Sequence, residues 1–593
     1  MKMRILSILL LAVVVLAGAS RAGAQTPAPM IFFTDLTGGP NSGGESVSGY
    51  AGAYITIYGN NFGASQGTST VTWNGQNCLR VVPATGSYTG WGTSYFWYQK
   101  IVVQLGSSCT AGTGNFVVTV NGAASTSPSS SISGTAIPGA QFTVRSTGNI
   151  YCVSTSGSDS NSGAFGSCWA TPAHAISTMA AGAIAYVENG VTQAAETAFG
   201  AVVNIEGNPG GTSTNPIALV TYPGATATIG ALNAGVQYAV RIPQIGDSPA
   251  WYTVAGLTLR GDEALEIAGA SDMRFVANDI SCDSATGFGC AHVDTTKIVW
   301  MYGNNLHDVG SQCATNSGNP TGSACKFHGY YYTTNTIHVD HGWNITNMDP
   351  SGSVDGGCYG VQFYSTGGAD QYDLHVHDSL FKNIVCGAIN FSTVNPDAGT
   401  VEAYNNVLFH VGTGPDPSGT SAAYYGVGTA AMSTHTNPVL VYNNSMYDVG
   451  SRGNVTNSNA CVNATIATKI VNNVCQITGS GEQYMTTNSS AIDCALFSGS
   501  DNDWYGNSGP LCASSVSASL NVNPLFTSTV SGSQNLFPQA SSPVFGAGTG
   551  AQVSAYDIEG LRRPSPPSMG AYELSAGAVT LPNPPTNLQV SVQ

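Results

Sequence analysis

Five of the chain's ten histidines lie between His328 and His377, although the protein has 593 residues. They are His328, His338, His341, His375 and His377. Asp340, Asp373 and Asp378 are interleaved with them in the stretches TIHVDHGWNI (336–345) and QYDLHVHDSL (371–380). Carboxylates beside an imidazole raise its affinity for a proton and orient its ring, which suits general acid or base work near neutral pH. The same side chains can hold a divalent cation, and Asp340 and Asp373 are the pair placed for one. Which chemistry is possible depends on how the surrounding elements present these groups.

Those elements repeat. A turn signature recurs as VANDIS (276–281), YGNNLHDVG (302–310), GWNITNM (342–348), HDSLFKNI (377–384), YNNVLFHVG (404–412), YNNSMYDVG (442–450) and VNNVCQITG (471–479), each after an alternating apolar strand. Taking Asn278, Asn304, Trp343, Asp378, Asn405, Asn443 and Asn472 as the corners, the repeats are 26 to 39 residues apart. That is one coil of a β-solenoid with loops of unequal length; a propeller would keep a steadier blade period. Stacked corner asparagines can hydrogen-bond along the axis and are read as structural.

Register follows from the apolar positions. With Val339, Leu374, Val401 and Val439 inward, the outward positions are His338, Asp340 and Gly342 on one coil. On the next they are Asp373, His375 and His377, and then Thr400, Glu402 and Tyr404. Coils stack about 4.8 Å apart. Asp340, His375 and Glu402 should therefore form one ladder, with His338 over Asp373 and His377 beside Tyr404 and Gly342. His341 comes out inward or at a bend. Asp340 and Glu402 would lie about 9.6 Å apart, near the spacing of an inverting glycosidase. A second strand set reads CKFHGYYY (325–332), GCYGVQFYS (357–365) and CGAINFS (386–392). It puts Tyr330, Val361 and Ile389 inward and stacks Tyr331, Gln362 and Asn390 outward, with Lys326 and His328 just ahead. Asp340, His375, Glu402 and Lys326 are the catalytic candidates. His328, Tyr331, Gln362, Asn390, His338, His377 and Tyr404 are the candidates for substrate contact. The competing reading is a polar ladder that only stabilises the sheet.

The bulk composition fits. Charged residues are 8% and glycines number 73, which favours an all-β chain with a surface of Ser, Thr, Asn and Tyr. A net charge of −16 argues against a nucleic-acid partner. MKMR, the apolar run ILSILLLAVVVLAG and Ala22-Gly23-Ala24 predict a signal peptide over 1–24, hence a secreted, extracellular or periplasmic protein. The run is too short for a membrane span, and no other segment offers one. Fourteen cysteines without a CxxC point to disulfides rather than zinc. Nearest-neighbour pairing (78/109, 152/168, 282/290, 313/325, 358/386, 461/475, 494/512) is one of many connectivities the spacing allows.

Two resemblances complete the sequence reading. ITIYGNNFG followed by VTWNG, in a region of short alternating strands with Asn/Gly turns, resembles the IPT/TIG immunoglobulin-like domain over residues 28–145. The resemblance implies an accessory module that binds glycan or protein. YCVSTSGSDSNSGAFGSCWATPAHAI (151–176) resembles the opening of secreted right-handed parallel β-helix proteins of the pectate-lyase-like superfamily. SSPVFGAG, then Asp557, Gly560, Arg562-Arg563-Pro564 and MGAYE, resembles their closing segment. This second likeness covers residues 149–574 and leaves 575–593 as a tail or linker. It implies a monomer acting on an extracellular polysaccharide, by lyase-like or hydrolase-like cleavage on the outer face of the solenoid. The alternative is a non-catalytic glycan-binding or adhesion protein, since the superfamily holds both. Its lyases use a Lys or Arg base with Ca2+; Lys326, Lys382 and Arg260 are the nearby bases of that kind, and none lies in a matching motif.

Overall fold

The alternating stretches before residue 146 pair into two sheets. Met30–Thr34, Tyr50–Asn60, Tyr98–Gly106 and Leu79–Val81 form one, with Thr93–Tyr95 alongside. Gly38–Pro40, Gln141–Arg145, Gly112–Val120 and Thr70–Trp73 form the other, with Ala123–Ala124 alongside. Ile55, Ile57, Val103 and Leu105 from the first and Trp73, Val118 and Phe142 from the second are buried in one core. This is the Ig-like sandwich, pinned by Cys78–Cys109. The computed structural model describes residues 27–574 apart from 84–88, 131, 133–136, 209, 243–248, 284–287, 311–327, 350–357, 366–369, 414–423, 452–458, 480–481, 488–491 and 507–511. The signal-peptide segment, the tail 575–593, Lys326 and the Cys313/Cys325 pair lie outside the described residues.

From Ile150 the chain winds a right-handed parallel β-helix with sheets of thirteen, eleven and ten strands. We number them one, two and three in the order each coil visits them. Inside, Val299, Val339, Leu374 and Val401 make one row, and Tyr332, Phe363 and Phe391 stack at 4.8 and 5.3 Å between centroids. Each such buried side chain contributes about 1.5–3 kcal/mol. His341, paired with Val376, is fully buried in this interior beside Tyr330 and Tyr332. The helix Pro172–Thr178 closes the first coil. Thr171 caps it by accepting from the His174 amide, and Pro172, Ala175 and Ile176 are buried. Six of the nearest-neighbour disulfides are formed among the described residues.

The corner between sheets one and two differs from the sequence reading by one residue. The axial ladder is Asn278, Asn304, Asn344, Ser379, Asn406, Asn444, Asn473 and Asn502, each side-chain oxygen accepting the backbone N–H of the preceding rung. Trp343, Asp378, Asn405, Asn443 and Asn472, expected in the ladder, sit one place earlier with φ of 45–57°. Left-handed backbone turns their side chains away from the axis, and it favours Asn and Asp there. Asn405, Asn443 and Asn472 instead donate to carbonyls of the closing segment, at Tyr556, Ser568 and Thr549.

Two of the solenoid's three outer faces are covered by the chain itself. The sandwich lies on sheet one, where Ile184, Tyr186, Ala218, Val220, Ala255 and Val276 share a core with it. Hydrogen bonds between Tyr54 and Tyr186, from Tyr98 to the Trp343 carbonyl and from Tyr95 to the Gly303 carbonyl add to that contact. The closing segment lies on sheet two, packing Leu536, Val544, Ile558 and Met569 against Val407, Phe409 and Val474. Neither of these cores takes a residue from sheet three.

Candidate functional site

The ladder forms in the expected register. Asp340 pairs with His375, and His375 with Glu402; Gly342 pairs with His377, and His377 with Tyr404. The side chains make two hydrogen-bonded chains. In one, Tyr442 donates to Glu402 (2.9 Å), whose other oxygen meets His375 Nδ1 at 2.6 Å. His375 Nε2 reaches Asp373 at 3.0 Å, and Asp373 reaches His338 at 2.6 Å. In the other, Tyr302 donates to Asp340 (2.8 Å), Asp340 meets His377 Nε2 at 2.7 Å, and His377 Nδ1 meets Asp378 at 2.7 Å. Burial alone would lower the histidines' affinity for protons. Asp373 and Glu402 outweigh it and raise His375 to about 10; Asp340 and Asp378 raise His377 to about 9. Both rings are therefore imidazolium at neutral pH.

The expectation of an open face is not met. Asp340, His375 and His377 are only 3–5% exposed. The sandwich and the closing segment roof them, because the neighbouring outward rungs are the apolar ones that bind the sandwich. What remains is a cavity of about 230 Å³ at the junction, lined by Arg274, Trp300, Tyr302, Asp340, Trp343, His375, His377 and Asp378 from the solenoid. Phe32 and Gln141 of the sandwich and Tyr556 and Asp557 of the closing segment complete the wall. Glu402, Asp373 and His338 stand behind it. Each carboxylate oxygen of Asp340 and Asp373 already accepts a hydrogen bond from Tyr302 or a histidine.

The second predicted set lies on sheet three, apart from the ladder. Its outward row runs Arg241, Glu266, His292, Tyr331, Gln362, Asn390, Gly428, Asn463 and Thr486, one residue per coil. His292 and Tyr331 stack at 5.6 Å, and Asn390 donates to Gln362 at 2.6 Å. His328 packs on Tyr331 and Tyr359, and burial drops it to about 3. Phe199, Phe288 and Tyr364 stay exposed; Phe288 and Tyr364 flank the row, and the Phe199 carbonyl accepts from Arg241.

At the start of this row the structure adds residues that the sequence reading missed. Glu266 is ion-paired with Arg241. Glu263 accepts the Phe288 amide on one oxygen, and its other oxygen, 3.7 Å from His292, has no hydrogen-bond partner. Burial, reinforced by the nearby Glu266 charge, pushes Glu263 up to about 8, and burial lowers His292 to about 4. A protonated acid thus stands beside an ion-paired carboxylate, the separation of roles that acid–base catalysis needs. Extending the Tyr331 register back two coils would have reached Glu266 in EALEIAG.

The alternative bases fall elsewhere. Lys382 and Arg260 are on sheet two, Arg260 paired with Asp279. Among the described residues, the one set of three ligand-type side chains with converging donor atoms is Cys152, Cys168 and Glu188, and the two cysteines are joined in a disulfide. No helix among the described residues is long and apolar enough to cross a membrane.

Residues 45–133 match the IPT/TIG domain family. The chain therefore carries an N-terminal IPT/TIG-like domain followed by a right-handed parallel β-helix. No curated protein matches it. Among solved structures, pectate lyase Pel9A is similar at 15% identity and a TM-score of 0.45, covering 72% of this chain and 96% of that one. A rhamnogalacturonan lyase is similar at 13% identity and 0.37, covering 65% and 92%. The family 28 exopolygalacturonase of Yersinia enterocolitica is similar at 10% and 0.31, covering 84% and 88%. These likenesses concern the fold.

Proposed function

We propose that the protein is a secreted polysaccharide-active enzyme that binds an extended glycan along the outer face of sheet three. The observation that carries this reading is the row from Arg241 to Thr486, polar or aromatic at every rung but Gly428, on the one face that neither the sandwich nor the closing segment packs against among the described residues; from His292 onward its side chains are closely packed, 2–9% exposed. Eight steps of about 4.8 Å give roughly 38 Å, the length of several sugar rings. Aromatic faces for pyranose rings and amides for hydroxyls are the groups such a polymer needs. Glu263 is assigned as proton donor to the departing glycosidic oxygen and Glu266 as the carboxylate that takes a proton from water, a hydrolytic division of labour; the free Glu263 oxygen is enclosed, so donation requires its neighbours Phe288 and His292 to shift when glycan binds.

Asp340, His375 and Glu402 are not assigned the bond-breaking step in this reading, because the cavity above them holds no polymer. Calcium is not part of it either, since the oxygens of Asp340 and Asp373 are engaged by Tyr302 and three histidines. The test is a panel of neutral and uronate polysaccharides incubated with the mature protein, with and without calcium. New reducing ends without ultraviolet-absorbing unsaturated products are expected. Glu263→Gln should lower the rate by about 10²–10⁴-fold while leaving glycan binding intact. Unsaturated products would make the enzyme a lyase and remove these two roles. Binding without cleavage would leave the row as a binding surface alone.

A further inference from the structure

The junction cavity is a separate matter from the long row. Three successive rungs of sheet one line it in the order Arg274, Trp300 and Asp340. Arg274 lies over the rings of Trp300 and Tyr302, at 5.9 and 5.7 Å, and donates one hydrogen bond to the Thr34 carbonyl of the sandwich. Its Nε is enclosed and has no partner, although the side chain as a whole is only partly buried. Among the described residues no carboxylate comes within ion-pair distance of it. Further along, Asp340 and Asp378 share one imidazolium, that of His377. On the closing segment, burial raises Asp557 to about 7 against the pull of Arg563. An entering carboxylate therefore meets a guanidinium with an unpartnered Nε–H, on which the charges of Asp35 and Asp340 act from beyond ion-pair distance.

We propose that this cavity binds a single sugar-sized polyol carrying one carboxylate, its carboxylate on Arg274, its ring against Trp300 and Trp343, and its hydroxyls toward Asp340 and Gln141. The volume of about 230 Å³ is below that of a drug-sized pocket and suits one ring rather than a chain. An apolar wall with few polar groups gives orientation, and a guanidinium fork matches a carboxylate. The ligand touches sandwich and solenoid together, so its binding also ties the two. It stands apart from the polymer on sheet three, and the two readings can fail independently.

The test uses the mature chain and the probes glucuronate, galacturonate, glucose, galactose and acetate. Trp251, Trp300 and Trp343 line the cavity, so tryptophan fluorescence reports occupancy directly, with calorimetry as the second readout. The uronates should bind and raise the melting temperature. Glucose, galactose and acetate should bind at least about tenfold more weakly, the loss of one charge-assisted contact or of the ring. Arg274→Gln should weaken uronate binding by about tenfold or more. Gln141→Trp, a substitution on the sandwich wall away from the solenoid core, should fill the cavity and abolish it, which decides the matter if Arg274→Gln fails to fold. The proposal is overturned if the uronates do not bind, if neutral sugars or acetate bind as well, or if Gln141→Trp leaves uronate affinity unchanged.

Discussion

His377 shows how closely the junction is built. Its ring stacks on Tyr404 at 5.1 Å and meets the edge of Trp343 at 4.8 Å, and both of its nitrogens reach carboxylates. The space beneath it exists because residue 342 is glycine: a Cβ there would come within 2.4 Å of His377 Cε1. Gly342→Ala should therefore displace the ring and cost about 1–3 kcal/mol, a fall in melting temperature of several degrees. In the double variant Gly342→Ala/His377→Ala the obstruction is gone, so the two losses should fall short of additive; strictly additive losses in thermal melts would reject this account. At this scale the sequence was legible, because the period-two register placed His377 beside both Gly342 and Tyr404. What it did not show was burial. The warning was present in the outward rows three to five coils before His377, where Ala218, Val220, Ala255 and Val276 are too apolar for a wet face.

Doubled asparagines carry the element-scale lesson. In YNNV, YNNS and VNNV the two residues do different work: the first turns left-handed and holds the closing segment, and the second joins the axial ladder. Sequence alone shows the doubling but not which residue stacks, because the choice depends on which one takes positive φ. The two roles predict different failures. Asn444→Ala removes donors to the Ala403 carbonyl and Asn473 and an acceptor for the Asn406 amide. Buried groups left without partners cost about 1–3 kcal/mol each, so the whole solenoid should melt lower. Asn443→Gly keeps the left-handed corner and loses only the bonds to the Ser568 and Gly570 carbonyls. It should speed proteolysis of the closing segment while far-ultraviolet circular dichroism stays unchanged. Equal loss of stability from both substitutions would mean the residues are not divided in this way.

For the whole molecule, the clearest consequence of stacking the sandwich on charged rungs is the pH dependence of stability. His375 and His377 are raised to about 10 and 9 in the folded chain, against about 6.5 when unfolded. Their contribution is fully present below about pH 6.5 and is lost as pH rises toward 9–10. His341 and His328, buried without a carboxylate partner, are lowered to about 3, and His292 to about 4. Their contribution has the opposite sense: present above about pH 6.5, and lost as pH falls toward 3–4. The melting temperature should therefore fall on both sides of a maximum. His375 and His377 share the alkaline limb with His307, raised to about 9, and with the buried acids Glu263 and Asp557, raised to about 8 and 7, so the variants are read by the change each makes in a limb. His375→Gln with His377→Gln should lower the neutral melting temperature and flatten the alkaline limb, leaving the acid limb as steep as before. His341→Phe should flatten the acid limb alone. Melts from pH 4 to 10 on the three proteins decide it; if the alkaline limb keeps its slope in the double variant, the imidazolium pairs are not what holds the sandwich to the coil.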